Sequence, residues 1–167
     1  MILYHGSNTY IQKVELNRCR PYKDFGRGFY CTTIKNQAEL MATRVSAIYG
    51  GSPSVTQFEF DVSILSDTIL DVKKFDGVSK DWAIFVLNNR NRHFNQPNSL
   101  ESNNDNKYDI VVGPVANDDL ALLFRSFTNG LIDLDVLIKG LKYKSLTNQY
   151  SFHTDRALHY LKMVGGI

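Results

Sequence analysis

The sequence predicts an α+β domain built on short antiparallel or mixed strands, and three observations predict it. Strand-like and helix-like stretches are mixed along the chain without the steady strand–helix–strand alternation of a parallel sheet. No Walker pattern and no complete G-x-G-x-x-G follows a strand, because Gly26-Arg27-Gly28 stops at G-x-G. The 167 residues, 43% hydrophobic and 12% aromatic, favour a single folded domain over 1–167 with a substantial core.

Each element follows from a local pattern. Ile2-Leu3-Tyr4-His5 is short and apolar and meets Gly6-Ser7-Asn8, which predicts a strand ending in a turn. Residues 9–27 are mixed and broken by Pro21 and Gly26. Residues 28–33 predict a second strand. From 34 to 49 the apolar residues Ala38, Met41, Ala42, Val45 and Ile48 recur at spacings of three and four, and Gly50-Gly51 stops the helix they predict. Residues 55–62 alternate, with Thr56, Phe58, Phe60 and Val62 on one face. A short strand is predicted at 69–72, and a helix at 80–89 with Trp82, Phe85 and Val86 on one side. The tract 88–107 contains eight Asn and predicts a surface excursion with little core of its own.

The second half continues in the same way. Residues 108–114 predict a buried strand running into a turn. Asn117 is placed to cap a helix to about 127, with Asp118 and Asp119 favourable in its first turn, and Asp133 to cap another to about 139. A late strand is predicted at 150–153. Thr154-Asp155 is placed to cap a final helix to about 163. No internal repeat is present.

Composition excludes several classes. Two cysteines, Cys19 and Cys31, make neither a disulfide framework nor a metal box, and the four histidines lack zinc-ligand spacing, so no metal is expected. No signal peptide and no apolar membrane span is read, so the expectation is a soluble cytoplasmic protein without a membrane partner. Residues 1–50 carry seven Lys/Arg against three Asp/Glu, a mildly basic third that suits an anionic ligand such as a dinucleotide. An ordinary solvated surface gives the same count. The basic residues are scattered, which argues against a small basic nucleic-acid binder.

Three segments stand out: Leu3-Tyr4-His5-Gly6-Ser7; residues 25–33, running on to Gln37-Ala38; and Asn148-Gln149-Tyr150-Ser151-Phe152. Taken singly, His5 is a polar strand end, Tyr30 is a sheet core ring, and Gly26 and Gly28 form a turn or bulge. In order, they resemble the ADP-ribosyltransferase superfamily in its poly(ADP-ribose) polymerase-like and diphtheria-toxin-like branch. That branch has His-Gly-Ser on its first strand, a Phe-Gly-Lys-Gly-Ile-Tyr-like second motif and a Glu on a late strand. Nearly the whole chain is similar to a bacterial family, domain of unknown function 3990. It shares the Tyr-His-Gly-Ser start, Asp-Phe-Gly-x-Gly-Phe-Tyr, Tyr-Asp-Ile-Val-x-Gly-Pro-Val-Ala-Asn and a late Gln-x-Ser-Phe-x-Thr.

The resemblance implies an ADP-ribosyltransferase-like fold of two short packed sheets with flanking helices. It implies NAD as co-substrate without a metal, and a protein or nucleic acid as acceptor. His5, Tyr30 and Gln149 would be the catalytic set, and His5, Gly6, Ser7, Arg27, Gly28 and Tyr30 the residues that bind NAD. A neutral His5 would hydrogen-bond the ribose on the adenosine side. The Gly6 N–H and C=O would pair with the nicotinamide carboxamide, Ser7 would hold the same end, and Tyr30 would lie against the ring. Arg27 is assigned to the pyrophosphate from charge and proximity alone. An active intracellular transferase endangers its own host, which implies an antitoxin-like inhibitor protein as partner to this toxin.

The sequence departs from the polymerase pattern in two places, and from that of the arginine-modifying relatives in a third. Gln149 replaces the Glu: it can hydrogen-bond a ribose diol but supplies no negative charge and no general base, whose loss costs about 10²–10⁴ in rate. Asp24, Asp109 and Asp155 are the acids beside the motifs that would substitute. Leu40-Met41 stands where the polymerases place a second aromatic, leaving Tyr22, Phe25 or Tyr49 to fill in. Thr147, two residues before Gln149, does not support arginine modification. The rival expectation is a catalytically inactive module that binds NAD or ADP-ribose or mediates an interaction.

Overall fold

Residues 2–7 form the strand on which the architecture turns. The structure, a computed structural model, describes all residues except 95, 97, 98, 117, 143–146 and 167, and only the backbone of 118, 119, 121 and 142. In chain order the elements are β1 (Ile2–Ser7), β2 (Phe29–Thr32), α1 (Lys35–Tyr49), β3 (Ser54–Phe60), β4 (Val72–Lys74), α2 (Lys80–Arg90), β5 (Ile110–Pro114), α3 (Asp118–Thr128), α4 (Leu134–Lys142), β6 (Asn148–Phe152), α5 (Asp155–Leu158) and β7 (Leu161–Gly166). Short 3₁₀ turns lie at Leu16–Arg18 and Val62–Ser66.

The mixed α+β class is as expected, but the two packed sheets are corrected to one. Seven strands run in the order β4-β5-β6-β2-β1-β3-β7, all neighbours antiparallel except β4 and β5. The cause of the continuity is narrow. β1 joins β3 through six residue pairs, Ile2↔Glu59 to Ser7↔Ser54, yet joins β2 through Tyr4↔Thr32 alone. One rung therefore links the β4-β5-β6-β2 half to the β1-β3-β7 half.

Strand alternation sends apolar residues to both faces. On one, Phe25, Trp82, Phe85, Val111, Leu120 and Leu137 pack α2, α3 and α4 against the sheet. On the other, Leu3, Phe29, Phe58, Phe60, Ile110 and Phe152 make a second core. Complete burial of such a side chain is worth about 1.5–3 kcal/mol, so both cores hold the sheet. α1 crosses β1 over Ala38, Ala42 and Val55. Caps follow the expected chemistry: Ser79 accepts from the Trp82 N–H, Asp133 from Val136 and Thr154 from Ala157. The Asn117 cap lies outside the described residues.

Two further expectations are corrected. The final helix ends at Leu158, and Leu161–Gly166 is a strand. Leu161 and Met163 turn inward while Lys162 and Val164 are exposed, a period of two that fits the open edge of β3. The tract 88–107 also carries buried residues: Asn89 and Asn103 are both fully buried. The Asn89 amide donates to the Phe85 carbonyl, and its oxygen accepts the Asn103 N–H at 2.8 Å. Asn103 in turn brackets Tyr108, accepting its N–H and donating to its C=O. Buried amides that satisfy backbone groups fasten the excursion at its base.

Candidate functional site

The single rung between β1 and β2 determines what β1 presents. The Met1 amine donates to the Phe60 carbonyl at 2.7 Å and the Phe60 N–H to the Met1 carbonyl at 2.8 Å, a mutually bonded pair. By antiparallel alternation the odd residues of β1 then point their N–H and C=O at β3 and the even ones at β2. Tyr4 meets Thr32 there; Gly6, two residues on, has no strand pair on that side among the described residues. A donor and an acceptor on one residue thus face the gap where the halves part.

The His5 ring occupies the other side of this gap. Its Nδ1 lies 2.7 Å from the Tyr30 carbonyl, which only accepts, so Nδ1 donates and Nε2 of the neutral ring keeps its lone pair. The ring stacks on Phe29 with centroids 4.2 Å apart. Burial lowers the His5 pKa and outweighs the opposing effect of the bond to Tyr30, which favours the neutral form. Across the β1–β3 register, fully buried Thr56 holds a hydroxyl with no hydrogen-bond partner among the described residues. Gly6 is fixed by packing as well, since a Cβ there would stand 1.9 Å from the Ala38 carbonyl oxygen of α1.

Tyr30 and Gln149 lie together on the opposite face from His5. The pairs Tyr4↔Thr32, Thr32↔Gln149 and Tyr30↔Ser151 place these side chains on the side of α2, α3 and α4. The Tyr30 hydroxyl donates to the Gly26 carbonyl at 2.7 Å and accepts the Phe25 N–H at 3.1 Å, locking the 25–26 turn. Burial, then the nearby Asp24 charge, pushes the phenol well above its usual range, so it stays protonated. Phe25 lies nearly parallel to Tyr30, with centroids 6.5 Å apart, but is fully buried. Tyr49 sits under Arg20. Leu40 and Met41 are largely exposed.

Around Gln149 the fold gathers charge. Its Nε2 donates to Asp24 Oδ2 at 2.8 Å and approaches the Pro114 carbonyl at 3.3 Å. Buried Asp24 also accepts the Ala116 N–H at 2.9 Å and two bonds from Arg90, at 2.9 and 2.6 Å. Of the three acids beside the motifs, then, Asp24 touches Gln149. Asp109 is bound instead by Arg156, Thr154 and the Asp71 N–H, and Asp155 is exposed in the first turn of α5. Gln37 of α1 links β2 to the approach to β6: its Oε1 accepts from the Thr32 hydroxyl and its Nε2 donates to Thr147 at 2.6 Å.

The remaining motif residues have local duties. The Ser7 hydroxyl donates to the Thr9 carbonyl, closing the turn after β1. Gly28 admits His153, whose ring a Cβ would approach at 2.6 Å. The Arg27 carbonyl accepts from His153 Nδ1 at 2.7 Å, while its side chain is exposed in a pocket between the 21–27 and 92–106 segments. Arg90 was not singled out by its sequence: it lies 66 positions from Asp24, and no local pattern marks the pair. Among the described residues no group of three His, Cys, Asp or Glu is placed to hold a metal, and no helix is long and apolar enough to cross a membrane.

The sequence model of a family described as "Protein of unknown function (DUF3990)" matches residues 1–163. No curated protein and no solved structure matches the chain.

Proposed function

This chain belongs to the DUF3990 family, and from that premise we propose an NAD-dependent mono-ADP-ribosyltransferase that acts in the cytoplasm on a protein or nucleic-acid acceptor. The observation that carries the reading is the unpaired Gly6 backbone at the β1–β2 gap. A carboxamide presents one acceptor and one donor, and an open strand residue offers the complementary pair. NAD supplies a nicotinamide amide, two ribose diols and a bond whose cleavage builds positive charge on the ribose. His5 Nε2 is an acceptor for a ribose hydroxyl. Tyr30, held rigid through its hydroxyl, offers a ring wall worth about 1 kcal/mol of stacking.

Asp24 addresses the missing Glu. The Gln149 amide is bonded to that carboxylate, leaving Gln149 Oε1 to accept from a diol and Asp24 to place negative charge behind it. The competing Arg90 contacts reduce that charge, which fits slow, single-unit transfer. The experiment is incubation with labelled NAD and lysate, following both label and released nicotinamide for wild type, His5→Ala and Tyr30→Phe. Loss of both signals in His5→Ala supports the reading; no label and no nicotinamide from wild type in any lysate sinks it.

The same Gln149 and Asp24 bonds also favour the second reading, a module that binds NAD or ADP-ribose without turnover. It is recognised by a thermal shift with ADP-ribose alongside zero nicotinamide release. In the active case we propose a toxin with an antitoxin-like inhibitor protein. Co-purification of such a partner with the native protein supports this; a solitary and harmless wild type opposes it.

A further inference from the structure

The described residues contain two non-glycine residues with positive φ, Tyr22 at 60° and Asn106 at 56°. They are far apart in sequence and line one pocket. That pocket, of about 560 Å³, is bounded by Pro21, Tyr22, Arg27, Arg92, Phe94, Asn104 and Asn106. A left-handed backbone is unfavourable for a bulky residue such as Tyr, and strain of this kind collects where a binding surface is held in shape. The clamp that holds it lies at the base of the two segments. Gly26, at φ 89°, sits so close to Asn103 that a Cβ would meet its carbonyl oxygen at 2.8 Å, and Asn103 is itself fixed to Asn89 and Tyr108.

The chemistry of the wall is specific. Two exposed guanidiniums line it, and among the described residues neither Arg27 nor Arg92 has an acid within ion-pair distance. The Arg92 guanidinium lies 5.3 Å from the centre of the Tyr22 ring, a cation–π contact that keeps it at the wall. Phe94 adds a second ring. Asp105, between the two asparagines, directs its carboxylate to the Lys107 N–H. Lys23, next to Tyr22 and Asp24 in the chain, is exposed, and the one acid in this stretch, Asp24, is matched by Arg90. Arg27 and Arg92 are far apart in sequence, and the fold brings them to one wall.

We propose that this pocket binds a nucleotide unit of a single-stranded nucleic acid. The base lies against Tyr22 and Phe94, and the flanking phosphates meet Arg27 and Arg92. Aromatic faces stack any base and arginines hold any phosphate, so recognition is of an unpaired strand and tolerant of sequence. A duplex keeps its bases stacked internally and has none to offer the rings. Two separate guanidiniums on one wall suit the successive phosphates of a strand better than a free mononucleotide.

The test is fluorescence anisotropy of the full chain with a labelled uridine oligomer of about 12 nucleotides, a duplex of the same length, and AMP, all without NAD. Omitting NAD separates this result from the transferase reading. The expected result is strand binding that falls steeply between about 50 and about 200 mM salt. Arg27→Ala and Arg92→Ala each weaken it at least about fivefold and flatten the plot of log affinity against log salt by about 0.7. Tyr22→Ala weakens it about fivefold or more, whereas Tyr22→Phe keeps it. Lys162→Ala, an exposed cation on β7, leaves it unchanged. Thermal unfolding of each variant confirms that it is folded. Absence of strand binding at low salt, binding indifferent to the Arg27 and Arg92 substitutions, equal binding of the duplex, or AMP binding as tightly as the strand overturns the proposal.

Discussion

The side-chain amide of Gln149 donates to the carboxylate of Asp24 at 2.8 Å, joining β6 to a loop 125 positions earlier. An acid thus stands against the Gln149 side chain, on a different segment of chain.

Gln149→Glu therefore sets two acids side by side. It replaces a donor with a second carboxylate against Asp24, and like charges at that separation drive one group to keep its proton. We expect a loss of about 1–3 kcal/mol at pH 8 that shrinks as pH falls and the new carboxyl protonates. Because its pKa is raised in the folded state, stability is lost as pH rises through that value. Urea unfolding at pH 5 and pH 8 measures this, and Asp24→Asn combined with Gln149→Glu recovers most of the loss.

His153 gives a second pH dependence. Its ring is buried, with Nδ1 donating to the Arg27 carbonyl and Nε2 at 2.8 Å from the Ser151 hydroxyl, and desolvation lowers its pKa to about 4 despite the bond to Arg27. The neutral form is the folded form, so its contribution is complete above the unfolded value of about 6.5. It is lost as pH falls from there toward 4, by about 3 kcal/mol in total. Unfolding midpoints across that interval should show the slope in wild type and lose most of it in His153→Gln.

Asp109 anchors α5 to β5. Burial alone would raise its carboxyl, but hydrogen bonds from Arg156 and Thr154 prevail and lower it. Stability from this group is present above about 3.9 and is lost as pH drops through the depressed folded value. Asp109→Ala orphans the Asp71 N–H and Thr154 hydroxyl and should cost about 2–4 kcal/mol, discounted for the exposed side of Arg156. Chemical denaturation at pH 7 measures it.

Gly6→Ala tests the close approach of α1. The new Cβ overlaps the Ala38 carbonyl, and relief requires β1 or α1 to move. We expect a loss of about 3 kcal/mol, seen as a lower urea midpoint.

Much of this architecture can be read from local sequence. α1 follows from Ala38, Ala42 and the Gly50 stop, β5 from its apolar run, and the caps at Asp133 and Thr154 from their side chains. β7 was hidden because Leu161 and Met163 acquire a period of two only against β3, whose edge no local window contains. The single sheet was hidden because one pair, Tyr4↔Thr32, decides it. At the candidate site, His5, Tyr30 and Gln149 are legible from their motifs, but their distribution over two faces is a property of strand register. Asp24 is legible as an acid beside a motif, while Arg90 enters through an ion pair spanning 66 positions, invisible to spacing.

The solitary Tyr4–Thr32 rung has a mechanical meaning. A plate held along one margin by six fastenings and along the next by one will flex at the single fastening. Its two wings are kept at one angle by what spans the seam: the core shared by Leu3, Phe29, Phe58 and Phe152, and the bond from His5 to the Tyr30 carbonyl. Stiffness across the middle of this protein is thus borrowed from side chains and from the α1 brace rather than from the ladder, and slow amide exchange at Gly6 on adding NAD would mark the proposed filling of the gap.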